Sequence, residues 1–421
     1  MTGFTVVGKR LPRYDGLLQV TGKATYGVDV SRPGMLHAKI LRSPWPHAKV
    51  LRVDASAASR MPGVEAVVTA ADVPRNRFGF THLDQPVLAD DKVRYRGDAM
   101  AAVAASTPDQ AEEALQAIAV DYEPLPAVFD PLEAMKPEAP KLYGDSNVAT
   151  RVTIQLGDLE AGWKEADEIL EETFRTQMVE HCHLEPHAAL AEVDERGVVT
   201  VYSSVQRPFL IASDLSSVLQ VPMNRVRVVA TAIGGGFGGK NELTMEPVAC
   251  LLAMKTRKPV KVVYTREEEF QATTVRHPYI LTYRSGLKKD GTIVARQVNI
   301  ISDAGAYVSW GGWTLSKAAI HAAGPYNIPN IKIEGVLVYS NNSVGGAMRG
   351  FGVPQVAFAY ECHTDTLAAA VGLDPVEFRL KNLLRDGGTM PTGQVLDRVT
   401  VIDTMRAAIN AVDWKEVAGR P

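Results

Sequence analysis

Cysteine is scarce: three thiols in 421 residues, Cys182, Cys250 and Cys362, with no C-x-x-C pair among them. That argues against a disulfide framework and against an iron–sulfur site built by this chain. Long apolar runs are missing as well, and none approaches the ~20 residues that a membrane-spanning helix needs. The opening MTGFTVVGKRLPRYDG has no apolar core ahead of a cleavage site, so no secretory signal is expected. Charge of one sign is nowhere concentrated: the formal net charge is −3, and the longest like-charge run is Glu267 to Glu269. A nucleic-acid binder would show a basic stripe, and none is visible. These absences leave a cytoplasmic protein, free of membrane, whose partners are small molecules or other proteins.

What is present is 46% hydrophobic residue in a chain long enough for more than one compact unit, with 34 glycines and 25 prolines scattered rather than blocked. KVRYRGDAMAAVAAS reads as strand, turn and strand about Arg96-Gly97-Asp98. Thr107-Pro108-Asp109-Gln110 then supplies an N-cap, a proline at the first helical position and a capping-box glutamine. The helix that follows carries Ala111, Leu115 and Ile118 on one stripe. DYEPLPAVFDP and AMKPEAPKLYGDSN end this unit, which predicts an α/β region over residues 1–135, a linker over 136–155 and a second region over 156–421. In the second region AALAEVDERGVVTVYSS and LTYRSGLKKDGTIVARQVNI alternate as hairpins, turned at Glu195-Arg196-Gly197 and Asp290-Gly291. Helices are expected from about Pro208 to Leu219, through NELTMEPVACLLAMKT, and from Pro354 to a stop at Gly372. Asp374-Pro375-Val376-Glu377 starts another with a capping box. The fold class is α+β.

Between the strand VRVVATAI and the helix after it lies IGGGFGGKNE, Ile233 to Glu242. It satisfies G-x-G-x-x-G, and nearly satisfies G-x-x-x-x-G-K-[ST]. Asn241 stands where a P-loop hydroxyl would bind magnesium, and no acid stands where a ribose ligand should follow. A nucleotide cradle and a purely structural turn remain open readings. A second element, VGGAMRGFGVPQ from Val344 to Gln355, again precedes a helix. Each loop offers backbone N–H groups and one aromatic, Phe237 or Phe351, and the second adds Arg349. Glycine lets a backbone approach a ligand closely, and successive N–H groups bind anionic oxygen. Together they describe a pocket for a bulky anionic or oxo-bearing group with a flat substrate beside it.

In combination and order, DGLLQVTGKATYGVDV, LRSPWPHAKV, VRYRGDAMAAVAA, VDYEPLPAV, EHCHLEPHAALAEV, VYSSVQRPF, IGGGFGGK, ISDAGAY, YNIPNI and GAMRGFGVPQ make the chain resemble the molybdopterin-binding subunit of the xanthine dehydrogenase and aldehyde oxidase family of molybdenum hydroxylases. The resemblance implies an α/β hammerhead domain over 1–135 and the first part of a molybdopterin-binding domain over 156–421. It implies a molybdenum-bearing molybdopterin, in the cytosine dinucleotide form. Carried residue by residue, Gln206 would hydrogen-bond an oxygen on the metal. Gly236, Phe237 and Gly238 would form the loop beside it, Arg349 would lie near metal and substrate, and Phe351 would stack on a flat substrate. None of these ligates the metal, since the dithiolene of the cofactor does. Asn241 and Lys317 occupy positions where purine-oxidising members carry Glu and Arg. That changes the donor pattern facing a substrate and points to nicotinate or another azaheterocycle.

The implied reaction hydroxylates an electron-poor carbon of an N-heteroaromatic with oxygen from water. Aldehydes and aromatic CoA thioesters are the alternative substrates, and a non-catalytic scaffold that retains the fold without the cofactor, or a nucleotide-binding enzyme, is the competing class. Iron–sulfur clusters and FAD would sit on partner subunits, because neither cluster motif occurs here. The family's catalytic glutamate belongs to a glycine-rich motif that has no match in this chain, which ends WKEVAGRP. The expectation is therefore a second molybdopterin subunit carrying that glutamate, with this chain inactive alone. His181, Cys182, His183 and His187 around Glu185 are read as core packing rather than as a metal site. Trp310 and Trp313 fit a substrate channel or simple loop packing. Glu267 to Glu269 read as the solvated first turn of a helix capped by Thr265.

Overall fold

The strand Ala99–Ala105, AMAAVAA, shows how the chain builds its layers. Ala101 and Val103 face the helix Pro108–Gln116 and pack with Ala114 and Leu115. Ala102 and Ala104 point the opposite way, into the main core with Val248 and Leu252 of the helix Glu246–Thr256. Alternation carries apolar residues to both faces, and their small size lets a helix lie close on each. This is seen in a computed structural model that describes residues 3–412 and Trp414.

The described residues form three sheets. The largest has seven strands in the spatial order Val226–Ala230, Val199–Ser203, Ala188–Val193, Val260–Val263, Leu36–Arg42, Ala99–Ala105 and Val64–Thr69. Leu36–Arg42 pairs in parallel with Val260–Val263, so strands from either side of residues 136–155 share one sheet. A five-stranded sheet runs Val148–Leu156, Asn330–Tyr339, Ile293–Gly305, Tyr279–Leu287 and Glu168–Arg175. Its first strand begins inside the stretch expected as linker. The smallest sheet sets Ala48–Asp54 between Lys92–Val93 and Ala119–Pro124. Asp98 and Asp84 tie the early segment to the later one. The Tyr307 hydroxyl donates to the Asp98 carboxylate at 2.9 Å, and the Val308 N–H donates to Asp84 at 2.9 Å.

Both expected hairpins form, and their turn glycines, Gly197 and Gly291, take φ of +76° and +83°. The helix Pro208–Leu219 stands where its pattern placed it. The helix after the glycine loop does not begin at Asn241 but at Glu246. Pro247 is the reason: proline lacks an N–H and clashes one turn back, so it is tolerated only in the first turn. Thr107 and Asp374 cap their helices as expected, yet neither closes a reciprocal box; Thr265 and Glu268 do so at Arg266–Ala272. No helix among the described residues is long and apolar enough to cross a membrane.

Candidate active site

The two glycine loops leave different sheets and meet. Residues 231–245 connect the edge strand Val226–Ala230 to the helix Glu246–Thr256, and residues 340–352 connect Asn330–Tyr339 to the helix Val353–Ala370. Where they touch, the Arg349 N–H donates to the Phe237 carbonyl at 2.8 Å. Gly238, at φ +110°, lies so close to the second loop that a Cβ there would fall 2.5 Å from the Ala347 carbonyl oxygen. A side chain at this position would have to separate the loops. Phe237 and Phe351 both adopt left-handed backbone, φ +51°, which turns each aromatic outward from its loop.

Gln206 follows the strand Val199–Ser203 and lies beneath the first loop. Its carboxamide oxygen accepts the N–H groups of Gly238 at 3.0 Å and Lys240 at 3.3 Å. Two donors on one atom identify that atom as the oxygen, so the NH2 group is left to face the cleft with no partner among the described residues. A Cβ on Gly236 would lie 2.6 Å from that same oxygen, so only glycine admits the glutamine here. The N–H groups of Gly235, Gly236 and Phe237 likewise find no acceptor among the described residues. An anionic, oxygen-rich group has donors waiting for it.

Lys240, the residue that mimics a P-loop lysine, points the other way. Its buried ammonium donates to the Glu185 carboxylate and carbonyl, both at 2.8 Å, and burial pulls its pKa below the ordinary lysine range against the pull of Glu185. Glu185 is also occupied by the N–H groups of Gly27 and Gly234. The lysine is unavailable to a phosphate, which removes the main support for the nucleotide reading. Glu185 braces the loop from below.

Over the loops opens a cleft of about 610 Å³ lined by Gln206, Phe237, Gly238, Asn241, Arg349 and Phe351 together with Phe80, Arg207, Trp310, Trp313 and Met348. Phe80 stacks on Trp310 at 4.0 Å between centroids, while Phe351 meets Trp310 edge-on at 6.1 Å. The Arg207 guanidinium lies 4.9 Å over the Trp310 ring. Gly236 is buried beneath this lining, and Lys317 lies outside it, exposed on the helix Gly311–His321 one turn beyond Trp313. Sequence reasoning missed Phe80, Arg207 and Met348. Arg207 and Met348 adjoin residues already singled out, whereas Phe80 belongs to a distant segment with no periodic pattern. Trp310 and Trp313 both border the cleft, Trp313 exposed and Trp310 buried against Phe80, a placement compatible with either reading of them.

Just behind the lining, the half-buried Glu242 carboxylate receives the Ser309 hydroxyl at 2.6 and 2.7 Å, and burial pushes its pKa up to about 7. The acidic run corrects an expectation. Glu267 is exposed, but Glu269 is fully buried, accepts the His187 backbone N–H and lies 2.9 Å from the His187 ring nitrogen Nδ1, so it is no solvated face.

Residues 142–383 match the family model for the molybdopterin cofactor-binding domain, and residues 21–126 match that for the aldehyde oxidase and xanthine dehydrogenase a/b hammerhead domain. The chain is 40% identical over 407 residues to the nicotinate dehydrogenase large molybdopterin subunit of Eubacterium barkeri, covering 96% of both. The chain belongs to the xanthine dehydrogenase family. It is 41% identical over 401 residues to a probable xanthine dehydrogenase subunit of Bacillus subtilis, covering 95% of this chain but 53% of that protein. The aldehyde oxidoreductase structure from Desulfovibrio gigas superposes with a TM-score of 0.92 at 32% identity, over 97% of this chain and 47% of the other. Quinoline 2-oxidoreductase from Pseudomonas putida 86 gives 0.91 at 28% identity, over 98% and 55%. This xanthine dehydrogenase-family chain thus spans nearly all of one relative and about half of the others, and its fold is theirs: hammerhead, then molybdopterin-binding region. The glycine cradle, the free Gln206 amide and the unpaired N–H groups fit a molybdenum-bearing molybdopterin.

Proposed function

We propose that this chain holds the molybdopterin and one wall of the substrate site in a multi-subunit hydroxylase that acts on an electron-poor carbon of an N-heteroaromatic, nicotinate-like or purine-like, with water-derived oxygen. The observation that carries the reading is the junction of the two glycine loops beside the Gln206 amide, opening into an aromatic cleft. When bound, the molybdenum–pterin group supplies oxygen transfer and a sink for two electrons. Gln206 donates its NH2 to an oxygen of that group, and the N–H groups of Gly235, Gly236 and Phe237 hold further anionic oxygen. Phe351, backed by the buried Trp310, stacks on a flat ring and fixes its reacting carbon. Arg349 and Arg207 supply cationic donors to a substrate carboxylate or ring nitrogen, and Asn241 a neutral amide. A carboxylate base comes from a second molybdopterin polypeptide, while iron–sulfur and FAD subunits carry electrons away. The pterin is taken in its cytosine dinucleotide form.

Support for a nicotinate-like substrate comes from the Eubacterium barkeri relative and from the aromatic wall, whose area a small aliphatic aldehyde would leave unfilled. Purification of the native complex tests the reading through its metals, its co-eluting chains and turnover of nicotinate, purines, aldehydes and aromatic CoA thioesters. Molybdenum with a second molybdopterin chain and preferred N-heteroaromatic turnover is expected. A complex without molybdenum would overturn the proposal, and preferred aldehyde or CoA-thioester turnover would overturn its substrate class.

A further inference from the structure

Behind the first glycine loop, away from the cleft, three buried side chains converge: His183, His187 and Glu269, at 1%, 3% and 0% side-chain exposure. One ligand-capable atom from each lies within 4.8 Å of the others. His187 Nε2 lies 3.2 Å from the Gly239 carbonyl, which can only accept, so that nitrogen carries the proton. In the neutral ring Nδ1 is then a lone pair, yet it faces the Glu269 carboxylate at 2.9 and 3.0 Å. Two acceptors at that distance are joined either by a proton on Nδ1, added to the ring or shifted from Nε2, or by a metal cation.

His183 separates the two. Neither of its ring nitrogens has a hydrogen-bond partner among the described residues, and its Nε2 lies 3.6 Å from the same Glu269 oxygen that faces His187. A proton on His187 Nδ1 would leave that buried imidazole unsatisfied, at a cost of about 1–3 kcal/mol. A cation would engage all three groups. Ligands at ~2.0–2.2 Å around zinc stand roughly 3.3 Å apart, a value that the 2.9 and 3.6 Å separations bracket. A ring N–H donated to a backbone carbonyl, as from His187 to Gly239, is also how metal-bound histidines are oriented. Nearby Glu180 is half-buried, and neither of its carboxyl oxygens has a hydrogen-bond partner among the described residues. The close cations are already engaged, Lys240 by Glu185 and Arg266 by the His183 carbonyl.

We propose that His183, His187 and Glu269 bind a structural divalent cation of the zinc type that braces the first glycine loop from behind. The position accounts for the bracing. His187 holds the Gly239 carbonyl of the first loop, and the neighbouring His181 donates its Nε2–H to the Ala347 carbonyl of the second at 2.8 Å. The proposal does not depend on the substrate or on the hydroxylase reading.

The test uses the assembled complex, purified from zinc-supplemented culture, with zinc measured per chain beside molybdenum and iron. About one zinc per chain is expected, retained through gel filtration, with X-ray absorption at the zinc edge showing nitrogen and oxygen ligands and no sulfur. His183→Ala and the milder Glu269→Gln should each lower zinc occupancy at least tenfold. A wild-type complex that holds no stoichiometric zinc, before or after incubation with zinc chloride, would overturn the site, as would sulfur ligation or zinc retained in Glu269→Gln. The wild-type measurements decide the matter even where a variant does not assemble.

Discussion

At the scale of single residues the site rests on Gln206. Its oxygen and its nitrogen do different work, and substitution can separate them. Gln206→Glu keeps an acceptor for Gly238 and Lys240 but removes the donor facing the cleft. Molybdenum content should stay close to wild type while kcat falls about a hundredfold, the loss typical of one missing donor to developing charge; both are read on the assembled complex. Glu242 makes a second residue-scale prediction. Its folded-state pKa of about 7 lies above the usual carboxylate value, so between pH ~4.5 and ~7 the native state holds a proton that the unfolded chain has released. Stability from this group is therefore present at low pH and is lost as pH rises through that window. Glu242→Gln, which keeps a partner for Ser309, should flatten this part of a plot of urea midpoint against pH. Much at this scale was legible: Gln206, Phe237, Gly238, Asn241, Arg349 and Phe351 share the cleft lining. Phe80 was not, because stacking on Trp310 is a long-range contact that leaves no local pattern.

At the scale of elements, hairpins and most helices could be read from period, turn residues and caps. The failures have physical causes. Apolar content alone predicts a helix from Asn241, but the restriction at Pro247 moves its start to Glu246. The acidic run departs from a solvated face because the short helix Arg266–Ala272 inverts the usual partition: Glu269 is buried while Phe270 is 53% exposed. No hydrophobicity pattern can find such a helix, since its inward residue is chosen for a histidine partner. Thr265 closes the box that starts it, and its hydroxyl accepts the Glu268 N–H at 3.2 Å. Thr265→Ala should cost about 1 kcal/mol, measured by chemical denaturation. It should also loosen Glu269, seen as faster hydrogen exchange over residues 266–272.

For the whole molecule the question is how two sheets are held in register so that their loops can meet. The contact of Tyr307 with the buried Asp98 is one of the pins, and burial pushes that carboxyl up to about 6. Tyr307→Phe keeps the ring but strands the acceptor, so a loss of about 1–3 kcal/mol is expected in thermal or urea unfolding. The topology that creates this junction was beyond the sequence, which showed the hairpins but not that Leu36–Arg42 would pair with Val260–Val263. At this scale too, the chain expressed by itself should show no hydroxylase turnover, and co-expression with a second molybdopterin polypeptide should restore it. Activity from the lone chain would contradict the shared-site proposal.

Apart from Phe237 in the first loop, the aromatic wall is assembled from three separate stretches: Phe80 early in the chain, Trp310 and Trp313 at the start of a helix, and Phe351 in the second loop. Grafting a single loop from a relative with another preference would therefore set a foreign ring against native neighbours. Retailoring this enzyme for a new molecule calls for exchanging all three stretches at once, and chimeras that swap only one should lose the old preference without gaining the new.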